Sequence, residues 1–398
     1  MTRLSVAAHR ASSDGLIPLT QGPISLRDLH ARMRPVPGGS SRALVASMLR
    51  NAERRRWAVI LCRFKNDPQP VLEQGIGDFF RSAFTPGTNG LVEYWIDASL
   101  GRVDIRGSQV FGWIEVDLAR TDADVESGAD RGTLTDAALA AARRDHIDVI
   151  TGFHRQISVY VHNWSRDDVP AGLDWRDPVW GKYWIDGSAG PGGDGVARIN
   201  LTPQHDGDVT AHEMGHILGL EHDRAPDLVT DYGDRCCIMS QNNSYLDPVW
   251  GRAFGPAVCL PHLLMKGWMY AGRVYEDTGA WMRQPDGISL PLAPVDRPCS
   301  RANLGLKLSL RPHLDWDYYV EFVPATGWNK GLGHPNLTPP YLFVRTIQDG
   351  RPTYLALLPV PTTPGVPATV LEPRGNTTFE VRLTDLPGPI IDVRATKL

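Results

Sequence analysis

The spacing of three histidines in one short segment constrains the fold of this chain more than any other feature. His212 and His216 are four residues apart, so on a helix their imidazoles project from the same face. His222 follows six residues later, too far round the helix to continue that stripe. Gly219 stands between them, and glycine tolerates the left-handed conformation that ends helices. The segment therefore predicts a helix over residues 208–218 whose chain turns back at Gly219 and returns His222 to the other two histidines.

Three converging imidazoles are a ligand set of catalytic zinc, which takes three protein ligands and keeps a further position for water. We therefore predict one catalytic Zn²⁺ bound by His212, His216 and His222. Glu213 follows a ligand but projects off the ligand stripe, so it can lie beside a metal-bound water without binding the metal. Zinc lowers the pKa of bound water to about 7, and an adjacent carboxylate can accept its proton during attack on a carbonyl. The pattern predicts a zinc hydrolase with Glu213 as its catalytic base.

The segment reads HEMGHILGLEHD and resembles the zinc signature of the metzincin endopeptidases, HExxHxxGxxHD. That family has a methionine-bearing turn beneath the metal, and Met239 in the sequence CCIMS lies at a suitable distance. The residues 264–268 are similar, more loosely, to the end of a helix in gametolysin-like members. The resemblance covers about residues 57–273 and implies a metalloendopeptidase, a hydrolase that cleaves internal peptide bonds by Glu-assisted attack of zinc-bound water. It also implies structural roles at the site for Gly219, Asp223 and Met239.

The resemblance further implies where a substrate lies, and one position departs from the family pattern. The strand predicted over residues 196–202 would be the edge strand that holds an extended protein or peptide substrate by backbone pairing. Some metzincins carry a tyrosine two residues after the turn methionine, where it assists the transition state or binds zinc. Here that position is Gln241. Tyr232 and Tyr245 lie near in sequence, and neither is assigned a role.

Apolar periodicity and composition divide the chain into three regions. Residues 1–56 contain ten arginines against three acidic residues, and we predict a basic, partly disordered extension. Residues 57–273 alternate between strand and helix patterns, which favours α/β or α+β architecture. The resemblance implies a metzincin-like α+β domain here, with a mixed sheet and the active-site helix. Residues 274–398 carry short alternating runs between turns rich in proline and glycine, the pattern of an all-β sandwich.

Within the α+β region, four stretches have the pattern of strands and four that of helices. The predicted strands cover residues 57–64, 102–116, 156–162 and 196–202, and the predicted helices cover residues 71–84, 133–149, 208–218 and 256–266.

Two further features leave alternatives open. The chain has five cysteines. One of the adjacent Cys236 and Cys237 could form a disulfide with Cys259, or all three could stay reduced as in a cytosol. The loop over residues 186–195 could bind Ca²⁺ through two aspartates and carbonyl oxygens, but it has few charged ligands and a plain loop is favoured. Cys62 lies inside an apolar strand and is predicted to be a core residue.

Charge and hydropathy exclude two classes of partner. A net charge of -4 is too small for a nucleic-acid binder. No stretch approaches the ~18 apolar residues needed to span a bilayer, and charged residues interrupt the place of a signal peptide's apolar region. The compartment and oligomeric state are therefore unknown, although the family tends to be extracellular.

Two rival functions remain beside the endopeptidase. One is another zinc hydrolase, such as an aminopeptidase, and the combination of His222 and Met239 argues against it. The other is a binding or toxin-delivery protein with a residual zinc site. An intact Glu213 disfavours this rival, because loss of that residue is the simplest way to abolish the chemistry.

Overall fold

The structure is a computed structural model that describes most of the chain from residue 53 onward. The described residues are 53–65, 71–119, 131–149, 152–153, 155–160, 197–201, 207–232, 234, 236–240, 245–247, 252–269, 271–297, 300–311, 314–333, 340–384 and 390–398. The predicted extension, up to residue 52, and the candidate calcium loop lie outside the described residues.

The chain forms strands and helices in alternation as far as residue 265 and then mainly strands. The first part contains β1 (Glu53–Arg54), β2 (Trp57–Arg63), α1 (Val71–Ala83), α2 (Leu91–Ala98), β3 (Val103–Asp104), β4 (Gln109–Glu115), α3 (Arg131–Arg144), β5 (Arg155–Tyr160), β6 (Ala197–Leu201), α4 (Gly207–Ile217), β7 (Tyr245–Asp247), β8 (Arg252–Phe254) and α5 (Leu260–Met265). The second part contains β9 (Val274–Asp277), β10 (Ile288–Leu292), β11 (Gly305–Ser309), β12 (Asp317–Val323), β13 (Tyr341–Gln348), β14 (Arg351–Pro359), β15 (Pro367–Glu372), β16 (Thr377–Leu383) and β17 (Ile391–Lys397), with short 3₁₀ turns at Ala271–Arg273, Ala280–Arg283 and Gly327–Gly333.

A sheet of four strands in the order β4-β2-β5-β6 organises the first part. Its described strands are all parallel, whereas a mixed sheet was expected. Strand β2 is apolar and buried from Trp57 to Cys62, since both faces of a central strand in a parallel sheet are covered. Alternate side chains point to opposite faces, so Trp57, Val59 and Leu61 join a core with α1, α2 and α4, while Ala58, Ile60 and Cys62 join a second core with α3.

Two antiparallel-rich sheets pack against each other in the second part. One has the strand order β14-β13-β12-β11-β9 and the other β10-β17-β16-β15. Inward side chains from both sheets form a single core that includes Leu306, Val320, Leu342, Phe379 and Val393. Alternating burial along β17 and β16 is what one covered face and one open face produce. The predicted arrangement of two facing sheets is therefore present among the described residues.

The two parts share a buried ionic contact. Arg345 on β13 is fully buried; its Nε donates to Asp234 Oδ2 at 2.7 Å, and its guanidinium also pairs with Glu321 on β12. Residues after 273, such as Leu304 and Trp328, join the core of the first part. The domain boundary near residue 273 stays a prediction, and the chain on its two sides packs together.

The α+β class is as predicted, and several elements differ from expectation. Helix α2 was missed, as were the strands β1, β7, β8, β9, β10 and β15. Helix α5 begins at Leu260 rather than near residue 256, and Pro261 lies in its first turn, where the missing N–H of proline breaks no helical hydrogen bond. Cys236, Cys237 and Cys259 are free thiols, so the structure has the reduced alternative and not the disulfide. None of the described helices is long and apolar enough to cross a membrane.

Candidate metal centre

Helix α4 presents two of the three histidines, as the four-residue spacing predicts. Its apolar residues Val209, Ala211 and Met214 face the first core, which fixes the rotation of the helix about its axis. Their four-residue spacing puts His212 and His216 side by side, with their ring centroids 4.8 Å apart. His212 is almost fully buried and His216 is partly open. The helix therefore presents both imidazoles to one point.

The chain reverses after α4 at Gly219, as predicted. Gly219 has a φ of 82°, in the left-handed region that glycine adopts without steric cost. Its N–H donates to His216 O at 2.8 Å and the Leu220 N–H donates to Gly215 O at 2.9 Å. These two bonds are the helix-ending pattern that satisfies the last carbonyl groups. The reversal directs the next residues back toward the helix and brings His222 opposite the other two histidines.

The three imidazoles converge through their Nε2 atoms. The Nε2 atom of His216 lies 3.1 Å from that of His212 and 2.9 Å from that of His222. The third side of the triangle, between His212 and His222, is 3.4 Å. Zinc–nitrogen bonds of about 2.0–2.1 Å at tetrahedral angles place ligand nitrogens roughly 3.3–3.4 Å apart. The triangle matches the ligand geometry of a small divalent ion, and these three residues form a group that could hold a metal.

Each imidazole is oriented by a partner on its other ring nitrogen. His212 Nδ1 lies 2.7 Å from Ile238 O, and His216 Nδ1 lies 3.0 Å from Leu220 O. His222 Nδ1 lies 3.3 Å from a carboxylate oxygen of Asp231. Acceptors at Nδ1 hold the proton there and leave Nε2 free to bind a metal, the usual outer contact of metal-binding histidines.

Burial keeps the two helical histidines uncharged. Burial, together with the charge that His216 would carry, lowers the pKa of His212 to about 3. Burial and the neighbouring His222 lower the pKa of His216 to about 4. Only neutral imidazole can bind a metal, so both residues are in the binding form at neutral pH.

Met239 packs against the helix that carries His212 and His216. It is fully buried, and its carbonyl accepts a hydrogen bond from the Asp223 N–H at 3.0 Å. A Cβ atom added to Gly215 would lie 2.5 Å from Met239 Sδ, so the methionine sulfur occupies the space that a side chain on the helix would need. The close approach holds the turn that carries Ile238 against α4.

Glu213 and Tyr232 lie at the rim of this centre. Glu213 is 4% exposed on α4. The Tyr232 hydroxyl lies 3.0 Å from His222 Nε2, and its ring centroid is 4.3 Å from that of His222. Burial and the charge of Glu213 raise the pKa of Tyr232 to about 12, so the hydroxyl stays protonated and able to donate at neutral pH. No role was predicted for Tyr232, because nothing in its spacing from the histidines predicts that it returns to them.

The second part of the chain reaches this centre through Arg351 on β14. Arg351 Nη1 lies 3.0 Å from Asp231 Oδ1, and Asp231 is the carboxylate beside His222. Backbone bonds join the same regions, since the Arg224 N–H donates to Pro352 O at 2.8 Å. The sandwich therefore helps to fix the third histidine, which sequence reasoning did not predict.

Asp223 lies next to His222 in the chain, but its side chain points away from the three histidines. It is fully buried and faces His262 on α5 rather than the three histidines. The structure therefore brings together all three predicted ligands, with Glu213 on the same helix and Gly219 and Met239 in their predicted places. Asp223 belongs to a separate cluster behind them.

Comparison with known proteins identifies no family for this chain. No protein-family model matches the chain, and no curated protein matches it. The functional argument therefore depends on the site itself.

Proposed function

We propose that the protein is a metzincin-like zinc-dependent endopeptidase that hydrolyses internal peptide bonds of proteins. The observation that carries the proposal is the triangle of Nε2 atoms of His212, His216 and His222, with sides of 2.9–3.4 Å. Three imidazoles with the remaining side open toward solvent are typical of catalytic rather than structural zinc. When bound, zinc supplies an acidified water and polarises the carbonyl of the scissile bond.

The residues beside the triangle supply the proton transfers. Glu213 follows the first ligand on α4 and is nearly buried, so its carboxylate acts in a site from which most water is excluded. It accepts a proton from the attacking water and returns it to the leaving nitrogen. The Tyr232 hydroxyl, 3.0 Å from His222 Nε2, donates a hydrogen bond to the oxygen on which negative charge develops. Neither residue is proposed as a metal ligand.

The sheet supplies a place for an extended substrate. Strand β6 is the outermost of the described strands in the order β4-β2-β5-β6, and α4 follows it in the chain. A strand at a sheet edge can pair with the backbone of a peptide in any sequence. Pairing along a backbone does not require a free chain end, and this favours cleavage of internal bonds over removal of terminal residues.

The test compares three variants with the zinc-reconstituted protein on a library of peptides blocked at both ends. Glu213→Gln should retain its zinc and lose at least about a thousandfold in turnover, about 4 kcal/mol in the barrier. His216→Ala should lose the zinc of this centre together with activity. Glu221→Gln removes an exposed carboxylate close in sequence and should leave turnover within about twofold of the parent.

Two outcomes would oppose the proposal. Near-normal turnover by zinc-loaded Glu213→Gln protein would remove the glutamate from the mechanism. Hydrolysis that requires a free chain end would exclude an endopeptidase and favour the aminopeptidase class.

A further inference from the structure

A second cluster of metal-binding side chains lies behind the three histidines. Asp223, Cys237, Cys259 and His262 each offer one ligand atom, and these atoms all lie within 4.8 Å of one another. The four residues are at most 2% exposed. They come from the chain reversal after α4, the turn that carries Met239, and the start of α5, so the fold assembles the cluster from distant positions.

One close contact within the cluster lacks hydrogen-bond geometry. His262 Nε2 lies 2.8 Å from Asp223 Oδ1, but the two atoms do not form a well-aligned hydrogen bond and neither has another partner. The Cys259 S–H donates a long hydrogen bond of 3.7 Å to Asp223 Oδ2. Buried polar atoms are nearly always hydrogen-bonded. Two close atoms that both lack such a bond are expected where both point at a shared third centre.

We propose that Asp223, Cys237, Cys259 and His262 hold a second zinc ion, with a structural role. Two thiolates with an imidazole and a carboxylate form a four-coordinate set, and soft sulfur ligands favour zinc over calcium or magnesium. All four ligands come from the protein and no side is open to solvent, which is the arrangement of structural rather than catalytic zinc.

The charge of the buried region is compatible with the ion. Burial raises the pKa of the Cys237 and Cys259 thiols, so both are protonated in the metal-free protein. Binding of one Zn²⁺ with release of both thiol protons leaves the net charge of the region unchanged. Burial by itself lowers the pKa of Arg345, but the charges of Asp234 and Asp223 raise it overall. The positive charge of Arg345 acts on Cys259 and would offset part of the negative charge of two zinc-bound thiolates.

The second zinc is independent of the proposed peptidase activity. Its ligands share no atom with the histidine triangle, and it would bind equally in a protein without catalysis. The cluster nevertheless braces the catalytic side, since Asp223 adjoins His222 and Cys237 adjoins Ile238, the acceptor for His212.

X-ray absorption on the zinc of the unmodified, reduced full-length protein tests the proposal without any substitution. We expect about two zinc ions per chain and sulfur in the ligand shell at about 2.3 Å. Cobalt replacement gives a second readout: it should show thiolate-to-metal charge-transfer absorption, which an all-histidine centre cannot produce. A single zinc with no sulfur ligand, or a disulfide between Cys237 and Cys259 in freshly purified protein, would overturn the proposal.

Variants then separate the two centres. His216→Ala should retain one zinc and the full charge-transfer band, whereas Cys259→Ser should lose the band. His262→Cys replaces the imidazole by a third thiolate and should keep the zinc with a stronger band, which also shows that the altered protein folds. Cys62→Ser, at a buried free thiol outside the cluster, should keep both ions. Sulfur-bound zinc without zinc at the histidines would uphold this inference while refuting the proposed peptidase.

Discussion

The histidine centre and the cysteine-containing cluster share two stretches of chain but differ in their access to solvent. His222 and Asp223 are neighbours, as are Ile238 and Cys237, and in each pair one residue serves each centre. The His222 side chain is 22% exposed, whereas the ligands of the second cluster are at most 2% exposed. Two neighbouring residues can therefore serve an open centre suited to chemistry and a closed one suited to stability.

The largest effect on stability should come from the buried arginine behind the closed cluster. Arg345→Met removes the positive charge that pairs with the buried carboxylates of Asp234 and Glu321. Breaking a buried pair by removing one partner costs about 3–5 kcal/mol, because the remaining charge is left uncompensated. Urea unfolding measures the loss.

Arg394→Met is the matched control for Arg345→Met. It removes an arginine that pairs with the exposed Asp286, and such a pair contributes at most about 1 kcal/mol. Equal losses for the two variants would mean that the buried pair does not hold the two parts of the chain together.

A substitution at the histidine centre should lower turnover and leave the free energy of unfolding unchanged. Tyr232→Phe removes a hydroxyl that is placed beside His222 and is 41% exposed as a residue. We expect turnover to fall about 10- to 100-fold, about 1.4–2.7 kcal/mol in the barrier, because a donor to the developing negative charge is lost. Zinc content and the urea midpoint should stay unchanged. Tyr275→Phe, on β9 of the sandwich, should leave turnover at the parent value, and a parallel fall in both variants would remove Tyr232 from the chemistry.

The smallest effect should come from the reversal that both centres depend on. Gly219→Ala places a Cβ on a residue with a φ of 82°, which costs about 1–2 kcal/mol. The nearest obstacle is Lys266 Nζ at 2.8 Å, the end of a flexible side chain that can move away. Gly272→Ala, where an added Cβ meets no atom within 4 Å, should change the free energy of unfolding by less than about 0.5 kcal/mol. An unchanged urea midpoint in Gly219→Ala would show that the left-handed residue is not what fixes the turn.

Local spacing predicted the parts of the site that depend on one helix and its end. The positions of His212 and His216, and the turn at Gly219, follow from helix geometry over a few residues. Tyr232, Arg351 and His262 were missed because their places depend on pairings between distant segments, which no short-range pattern encodes. The residue types gave one usable signal for the second cluster, since Cys237, Cys259 and His262 all follow the predicted zinc ligands in the chain.

The fold was predicted best where one face of an element is covered. Alternating burial along the sandwich strands matches the pattern that predicted a sandwich over residues 274–398. Helix α2 was missed because it has only eight residues, fewer than the roughly 11–18 over which a helical apolar period is recognised. Its capping signal is also unusual: Glu93 accepts hydrogen bonds from the N–H groups of Gly87 and Gly90, and no serine, threonine or aspartate marks its start.

The contact from Arg351 through Asp231 to His222 bears on how such a protein can evolve. Arg351 follows Asp231 by 120 positions, and it belongs to a sheet that carries no proposed ligand of its own. Exchange of this sheet for an unrelated module would leave the third histidine without its outer support. The two parts of the chain should therefore be inherited together, and an ancestor assembled by gene fusion would have gained the present geometry only after the joined pieces had adapted to each other.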